Sequence, residues 1–221
     1  FEDAFNEIRR MEALLTTFNE ESQTQLINRH AGIKPVKVDA EVYSLIERSL
    51  IISRITDGFF DITYGSADLS FWNFDRAMTQ LPDAETLRQS VKLVDYRKII
   101  LDPENHSVFL PEKGMRIGFG GIGKGYAAET VKGFLQQRGV HSGIVNAAGD
   151  LSVWGTQADG KPWTVGIADP NSAERPFSLL NISDIAIATS GNYEKFVMIG
   201  GKKYSHTINP KTGMPAHGVK S

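Results

Sequence analysis

Five glycines within eight residues dominate one short stretch of this chain and restrict what it can form. They stand at positions 118, 120, 121, 123 and 125 of the segment RIGFGGIGKGYAAE, residues 116–129. The pattern predicts a short strand, a glycine-rich turn and the first turns of a helix. A backbone with so few side chains lets a ligand approach closely. The following helix directs its unpaired N–H groups and positive dipole end at the turn, which suits a phosphate group.

Two known nucleotide-binding patterns match this turn, and both matches are incomplete. GFGGIG, residues 118–123, fits the dinucleotide-binding pattern G-x-G-x-x-G, but no acidic residue ends the next predicted strand and antiparallel strands follow. GFGGIGK, residues 118–124, fits the start of a P-loop, but Gly125 stands where a P-loop has Ser or Thr. The structural alternative is a glycine turn that packs close to a sheet.

Composition is that of an ordinary globular protein. The 221 residues suffice for one large domain or two small ones, with 41% hydrophobic and 23% charged residues. A formal net charge of −2 gives no basic excess for nucleic acid or an anionic membrane surface. The absence of cysteine excludes disulfides, thiol catalysis and cysteine-bound metal centres.

The predicted elements are helices first and strands last. Hydrophobic spacing and capping residues predict helices over residues 1–17, from Ser22 to about 28, from Asp39 to about 56, from Asp83 to about 92, and over 124–138. Residues 59–64 are too aromatic and β-branched to continue the helix before them.

Strand signals cluster in the second half of the chain. Strands are predicted at 98–101 and 107–110, as a hairpin, and at 143–146, 151–154, 163–168, 177–182, 185–189, 196–199 and 203–208. The layout is α+β, with mixed helices, a central β-α-β crossover and an antiparallel sheet.

Further stretches of small and polar residues end predicted elements, where binding sites are usually built. They are DGFFDIT at 57–63, VNAAGD at 145–150, ATSGNYE at 188–194 and SHTINPKTG at 205–213. Together with GGIGKGYAAE they resemble the ApbE family of flavin transferases, and LLTTFNEESQTQLIN at 14–28 resembles an early segment of that family. The resemblance covers nearly the whole chain, so a single ApbE-like region over residues 1–221 is expected.

The resemblance implies an enzyme, an FAD:protein FMN transferase with an ApbE-like fold. Such an enzyme cleaves FAD at its pyrophosphate, attaches FMN through a phosphoester to a Thr or Ser of a target flavoprotein, and releases AMP. Mg²⁺ on the pyrophosphate is implied as well. Two alternatives stay open, namely an FAD-binding protein without transfer activity and an FAD pyrophosphatase that gives free FMN and AMP.

The resemblance also implies roles for individual residues. His206 is the candidate base for the acceptor hydroxyl, since an imidazole can hold that proton near neutral pH. The backbone carbonyl of Gly121 is expected to bind the metal. The positions expected to contact FAD are Phe18, Phe59, Phe60, Asp61, Gly118, Lys124 and Ile208. Phe18 is also expected to shield the site and favour transfer over hydrolysis.

Most of these residues have an ordinary structural explanation too. Asp61 fits a cap or turn residue, the three phenylalanines fit core packing, and His206 fits a satisfied sheet residue. Lys124 opposes the dipole at a helix N-terminus, which favours a phosphate or carboxylate partner. The remaining four histidines show no metal-ligand spacing.

Departures from the family pattern concern the metal and the chain ends. Gly118 stands where many relatives carry an acid. The family's acidic and hydroxyl metal ligands belong to a segment that would follow Ser221, and its Met-Gly-Thr strand would precede Phe1. The chain is therefore expected to be incomplete at both ends. The family resemblance also implies a location in the periplasm or on the outer face of the inner membrane. Membrane contact is then expected only through an N-terminal lipid anchor outside this chain.

Overall fold

A computed structural model describes residues 1–68, 70, 72, 80–169, 172–190 and 196–216. Contacts divide the chain into two units. The first unit comprises Phe1–Met11, Ile122–Tyr193 and Val219–Ser221, and the second comprises Glu12–Gly121 and Glu194–Gly218. The glycine-rich stretch is therefore shared, with residues 116–121 in the second unit and residues 122–129 in the first.

The described part of the chain forms five α-helices, all in regions where the sequence predicts them. They are α1 (Glu2–Leu15), α2 (Gln23–Arg29), α3 (Ala40–Ile55), α4 (Ala84–Ser90) and α5 (Gly123–Gln137). Ser22 caps α2 by accepting the N–H of Gln25 at 3.1 Å, as predicted. Asp83 caps α4, whereas Asp39 stands at the N-cap of α3 without a side-chain hydrogen bond. None of these helices is long and apolar enough to cross a membrane.

All sheet pairings in the described ranges are antiparallel. The strands are β1 (Val36–Lys37), β2 (Ile100–Asp102), β3 (Ser107–Phe109), β4 (Gly143–Ala147), β5 (Asp150–Trp154), β6 (Trp163–Asp169), β7 (Ser172–Ile182), β8 (Ile185–Ile187), β9 (Phe196–Ile199) and β10 (Lys202–Ser205). They form the sheets β1-β3-β2 and β4-β5-β8 and the ribbons β6-β7 and β9-β10. The predicted α+β class and the hairpin β2-β3 are confirmed.

The predicted β-α-β crossover lacks its first strand. Residues 115–119 carry no strand assignment, so an irregular segment leads into the glycine turn and α5. The buried side chain of Asn28 replaces the strand partner: its Oδ1 accepts the N–H of Ile117 at 2.7 Å and its Nδ2 donates to the Ile117 carbonyl at 3.1 Å. The backbone of this segment is thus satisfied by a side-chain amide, which local patterns do not reveal.

In the first unit, α5 packs against β4 and β5. Ala128, Val131, Val153 and Trp154 are buried there. Gly143 lies opposite Trp154 in the β4-β5 register, and a Cβ atom at Gly143 would come within 2.7 Å of the indole. Glycine at this position therefore makes room for the large aromatic side chain.

The second unit has its own apolar core, built from α2, α3, β3 and residues 110–117. Its most buried side chains include Ile27, Val42, Leu45, Ile46, Ile62, Val108, Leu110, Met115 and Ile117. The irregular segment 115–117 is thereby anchored in the core, and it carries the start of the glycine turn.

Candidate functional site

A cleft with a volume of about 570 Å³ lies in the second unit, beside the start of the glycine turn. Its walls come from residues 59–65, 116–121 and 206–210, with Thr17 at one side. The structure brings seven of the nine predicted site residues together here: Phe59, Phe60, Asp61, Gly118, Gly121, His206 and Ile208. Three motifs that are distant in sequence therefore share one cleft.

The other two predicted site residues are not among those that line it. Phe18 follows the lining residue Thr17, and its side chain is 98% exposed, so the core-packing explanation fails for it. Lys124 belongs to the first unit, where its Nζ lies 3.8 Å from Asp150 Oδ1 and donates to the Ala148 carbonyl at 3.3 Å. Asp150 thus supplies the carboxylate partner that the position of Lys124 favours.

Asp61 holds the aromatic wall of the cleft in place. It caps the short 3-10 helix Ile62–Ser66, which follows α3 where the sequence predicts that the α-helix ends. Its Oδ1 accepts from the N–H of Thr63 at 2.8 Å and from the Thr63 hydroxyl at 2.6 Å. Its Oδ2 accepts from the N–H of Tyr96 at 3.0 Å. The cap interpretation of Asp61 is therefore confirmed, and any contact with a ligand comes in addition to it.

The 3-10 helix runs along the start of the glycine turn and fixes it. The N–H of Gly118 donates to the Ile62 carbonyl at 3.1 Å. Ser66 accepts the N–H of Arg116 at 2.7 Å and donates its hydroxyl to the Arg116 carbonyl at 2.9 Å. Gly65 packs against the same stretch, since a Cβ atom there would lie 3.5 Å from the Ile117 carbonyl oxygen.

Gly121 is exposed, and its carbonyl accepts no hydrogen bond from the described residues. The family resemblance implies that this carbonyl binds a metal. The described residues contain no cluster of three or more His, Asp or Glu side chains suited to a metal ion. Because Mg²⁺ requires six oxygen ligands, one neutral carbonyl does not make a metal site. The described residues alone therefore do not fit a resident Mg²⁺ ion.

His206 lies one residue beyond β10, at the cleft. The predicted strand 203–208 ends early, at Ser205, and among the described residues after it Ile208 forms an isolated bridge with Pro215. Ser205 and Ile208 are buried, whereas His206 and Thr207 are exposed. His206 therefore lies outside the strand in which the sheet-residue explanation places it, and it is exposed at the cleft.

Ile208 serves the core as well as the cleft. It is 8% exposed and forms a buried cluster with Trp72 and Leu87, against which Tyr64 and Met214 pack. The indole N–H of Trp72 donates to the Gly213 carbonyl at 3.0 Å and links this cluster to the end of SHTINPKTG. The buried cluster thus supports the histidine-bearing wall.

Tyr64 and Arg116 were not predicted as site residues, yet both line the cleft. Burial raises the pKa of the Tyr64 phenol to about 12. The guanidinium of Arg116 donates to Gln25 Oε1 at 3.1 Å. The sequence does carry a signal for Tyr64. It follows Asp61 by three residues, and residues with this spacing share a face of a 3-10 helix.

Two further motifs, ATSGNYE and VNAAGD, do not line the cleft among the described residues. Residues 191–194 of ATSGNYE, with Asn192 and Tyr193, and His217 lie outside the described residues. Gly149 and Ala148 of VNAAGD have positive φ angles, of 98° and 52°. They form the turn between β4 and β5, whereas Asp150 is the first residue of β5, so the turn predicted at Gly149 and Asp150 lies one residue earlier.

Fold and site together define a class of protein, an α+β protein with a cleft formed by a glycine turn, two aromatic side chains and a histidine loop. It is neither a dinucleotide-binding Rossmann domain nor a P-loop protein, because all pairings in the described ranges are antiparallel and Gly125 replaces the P-loop hydroxyl. The model of the ApbE family matches residues 1–221. The chain belongs to the ApbE family, which confirms the resemblance read from its motifs.

Individual relatives agree with this assignment. The FAD:protein FMN transferase of Treponema pallidum is 32% identical over 232 residues, which cover 98% of this chain and 63% of the relative. The ApbE protein from Thermotoga maritima, known from a crystal structure, is 31% identical in sequence to this chain. The two structures match with a TM-score of 0.86 over 99% of this chain and 71% of the Thermotoga maritima chain. The apo flavinyl transferase ApbE of Pseudomonas stutzeri is 25% identical, with a TM-score of 0.81 over 97% and 68%. The chain spans somewhat less than two thirds of the first curated relatives, 63% and 65%.

Proposed function

We propose that this protein is an FAD:protein FMN transferase. It cleaves the pyrophosphate of FAD, joins the FMN phosphorus to a Thr or Ser hydroxyl of a target flavoprotein, and releases AMP. The observation that carries the proposal is the single cleft in which DGFFDIT, the glycine turn and SHTINPKTG meet. Relatives named FAD:protein FMN transferase support it.

The two sides of the cleft suit the two chemical parts of a flavin nucleotide. Phe59 is 63% exposed, and Phe60 lies beside it, so aromatic faces are available to a planar ring. The Lys211 ammonium lies over one face of the Phe59 ring, 4.7 Å from its centre. The glycine-turn backbone offers close approach to a phosphate.

The reaction is a phosphoryl transfer, in which positioning and charge neutralisation outweigh covalent chemistry by the protein. The acceptor oxygen forms a bond to the FMN phosphorus as the bond from that phosphorus to the bridging pyrophosphate oxygen breaks. The acceptor proton goes to His206, which is exposed at the cleft, and AMP leaves with the bridging oxygen.

We further propose that turnover requires Mg²⁺ bound together with the pyrophosphate, with the free Gly121 carbonyl as one ligand. The motivation is the family pattern and the unpaired state of this carbonyl among the described residues. Removal of Mg²⁺ with a chelator is expected to abolish turnover, and re-addition is expected to restore it. Turnover that persists in excess chelator would contradict the requirement.

An extracytoplasmic location is proposed on the family resemblance alone. Any membrane contact would come from an N-terminal lipid anchor outside this chain. Fractionation of cells that express the natural protein tests this, and recovery with the cytoplasmic fraction would contradict it.

A second candidate function is FAD binding without transfer. It is motivated by Gly118, at a position where many relatives carry an acid, and by the lack of a metal-ligand cluster in the described ranges. It predicts stable FAD binding with no product.

The deciding experiment incubates the protein with FAD, Mg²⁺ and a flavoprotein subunit that carries an acceptor Thr. Transfer predicts covalent flavin fluorescence on the subunit and one AMP per flavin attached. The matched control is the subunit with Thr→Val at the acceptor position, which is expected to stay unlabelled. Free FMN with AMP would instead identify a pyrophosphatase, and unchanged FAD would identify the binding protein.

A further inference from the structure

Tyr64 presents a phenol at the cleft wall from a fixed ring. Its side chain lines the cleft together with that of Asp61, three residues before it. The ring packs against the buried cluster of Trp72, Leu87 and Ile208. The phenol therefore has a defined position before any ligand binds.

The backbone that carries Tyr64 is held on both sides. Asp61 caps the start of the 3-10 helix, and Ser66 at its end exchanges two hydrogen bonds with the backbone of Arg116. Between them, the Ile62 carbonyl accepts the N–H of Gly118. A side chain on such a support loses little freedom when it contacts a ligand, which favours binding.

The Tyr64 hydroxyl has no hydrogen-bond partner within the part of the chain that the structure describes. The hydroxyl is not a buried unpaired atom, so it is accessible to solvent. A tyrosine phenol is protonated at neutral pH, and burial raises the pKa of this one further, so it remains a donor. A solvent-accessible donor on a residue that lines the cleft is available to an acceptor oxygen of a molecule that enters the cleft.

We infer that the Tyr64 hydroxyl donates a hydrogen bond to an oxygen of the bound flavin dinucleotide and makes Tyr64 a substrate-binding residue. The inference rests on the proposed function, because it names a substrate contact in the same cleft. Flavin dinucleotides carry two kinds of suitable acceptor, the phosphate oxygens and the carbonyl oxygens of the ring system. Both accept from a neutral phenol, and ligand fragments distinguish them.

The test compares the affinities of the unaltered protein and Tyr64→Phe for FAD, ADP and riboflavin by titration calorimetry. The substitution keeps the ring and removes only the hydroxyl. FAD binding is expected to weaken about 5- to 30-fold, the range for loss of one hydrogen bond to a ligand. A parallel loss for ADP alone assigns the contact to phosphate, and a parallel loss for riboflavin alone assigns it to the ring carbonyls.

Tyr96→Phe is the matched control, because Tyr96 is also half-buried in the second unit but does not line the cleft. It is expected to bind FAD like the unaltered protein. Equal thermal midpoints for all three proteins would show that the fold is intact. In addition, the ¹³Cζ resonance of Tyr64 in the unaltered protein is expected to shift when FAD is added, which requires no substitution.

Three results would overturn the inference. The inference is overturned if Tyr64→Phe binds FAD within twofold of the unaltered protein. It is also overturned if Tyr96→Phe loses as much affinity as Tyr64→Phe. A Tyr64 resonance unchanged by FAD would also contradict it. If the unaltered protein fails to bind FAD, the proposed function falls together with this inference, whereas normal binding with an unaffected Tyr64→Phe overturns the inference alone.

Discussion

A Cβ atom at Gly121 would lie 3.0 Å from Cε2 of Phe60, tighter than an ordinary van der Waals contact. The glycine turn and the aromatic wall of the cleft therefore touch directly at this point. At Gly118 the nearest atom to a new Cβ is Thr17 Cγ2 at 3.7 Å, which is an ordinary contact. The two glycines thus differ in how much space the neighbouring wall leaves them.

Gly121→Ala is expected to push the Phe60 ring aside. Overpacking of this kind costs about 1 kcal/mol or more of unfolding free energy, and the displaced ring should weaken FAD binding. Gly118→Ala, the matched control, is expected to change the unfolding free energy by less than about 0.5 kcal/mol. Urea unfolding and FAD titration measure both effects. Equal behaviour of the two variants would contradict the contact.

Asp61→Ala is expected to lower the unfolding free energy by about 3 kcal/mol, because the Thr63 and Tyr96 donors lose a charged acceptor. FAD binding should weaken in parallel, since the same carboxylate holds the cleft wall. Asp83→Ala removes the cap of α4 instead and is expected to leave FAD binding unchanged. Urea unfolding followed by tryptophan fluorescence checks the first effect. Full stability of Asp61→Ala would show that the capping network is dispensable.

His206→Asn is expected to slow FMN transfer by about 100-fold or more, the usual contribution of a positioned base. FAD affinity should change little, because the imidazole acts on the acceptor hydroxyl. His141→Asn, at an exposed position in the first unit, is the control. Single-turnover labelling of an acceptor subunit measures the rate. An unchanged rate would remove His206 as the base.

Ile208→Val is expected to cost about 1 kcal/mol of unfolding free energy and Ile208→Ala about 3 kcal/mol, because each removes volume from the cluster with Trp72 and Leu87. Thermal unfolding monitored by tryptophan fluorescence measures the losses. If Ile208 acts chiefly through this packing, FAD affinity of Ile208→Val stays close to that of the unaltered protein. A large loss of affinity with unchanged stability would indicate direct contact instead.

The half-buried phenol of Tyr64 should make stability fall in alkali. Its pKa is about 12 in the folded protein, against about 10 for an exposed tyrosine. The unfolded chain therefore loses the proton first as pH rises, and this favours unfolding. The stabilisation of the folded state that is linked to this raised pKa is fully present below about pH 10 and declines towards pH 12. Urea midpoints at pH 9 and pH 11 should thus fall more for the unaltered protein than for Tyr64→Phe, and equal falls would contradict the assignment.

Much of the secondary structure follows from local signals. The capping interaction of Ser22 with Gln25 and the turn after Asp102 both lie within a few residues, so the sequence predicts α2 and the hairpin β2-β3. The strand expected before the glycine turn does not form, because its backbone pairs with the distant side chain of Asn28. Strand propensity is a property of the local sequence and therefore does not predict a hydrogen-bond partner that is distant in the chain.

In the candidate site, too, some residues follow from sequence motifs and others depend on long-range contacts. Family motifs predict that Asp61 and His206 belong to it, and the structure places both at one cleft. They do not predict Tyr64, whose importance depends on a cavity and on a hydroxyl without a partner in the described residues. They also do not show that Lys124 pairs with Asp150, 26 positions away in the chain but 3.8 Å apart in space. Long-range contacts decide these roles, and a single sequence leaves them undetermined.

The pairing of Asn28 with Ile117 has a consequence for how the cleft forms. The two residues are 89 positions apart, so the chain between them must close before the amide meets its partner. The cleft residue Ile117 therefore depends on a long-range contact with α2, a helix whose own residues do not line the cleft. Because two hydrogen bonds of Asn28 go to Ile117, we expect that detachment of α2 on heating would also free the backbone of Ile117, and with it one lining residue of the cleft.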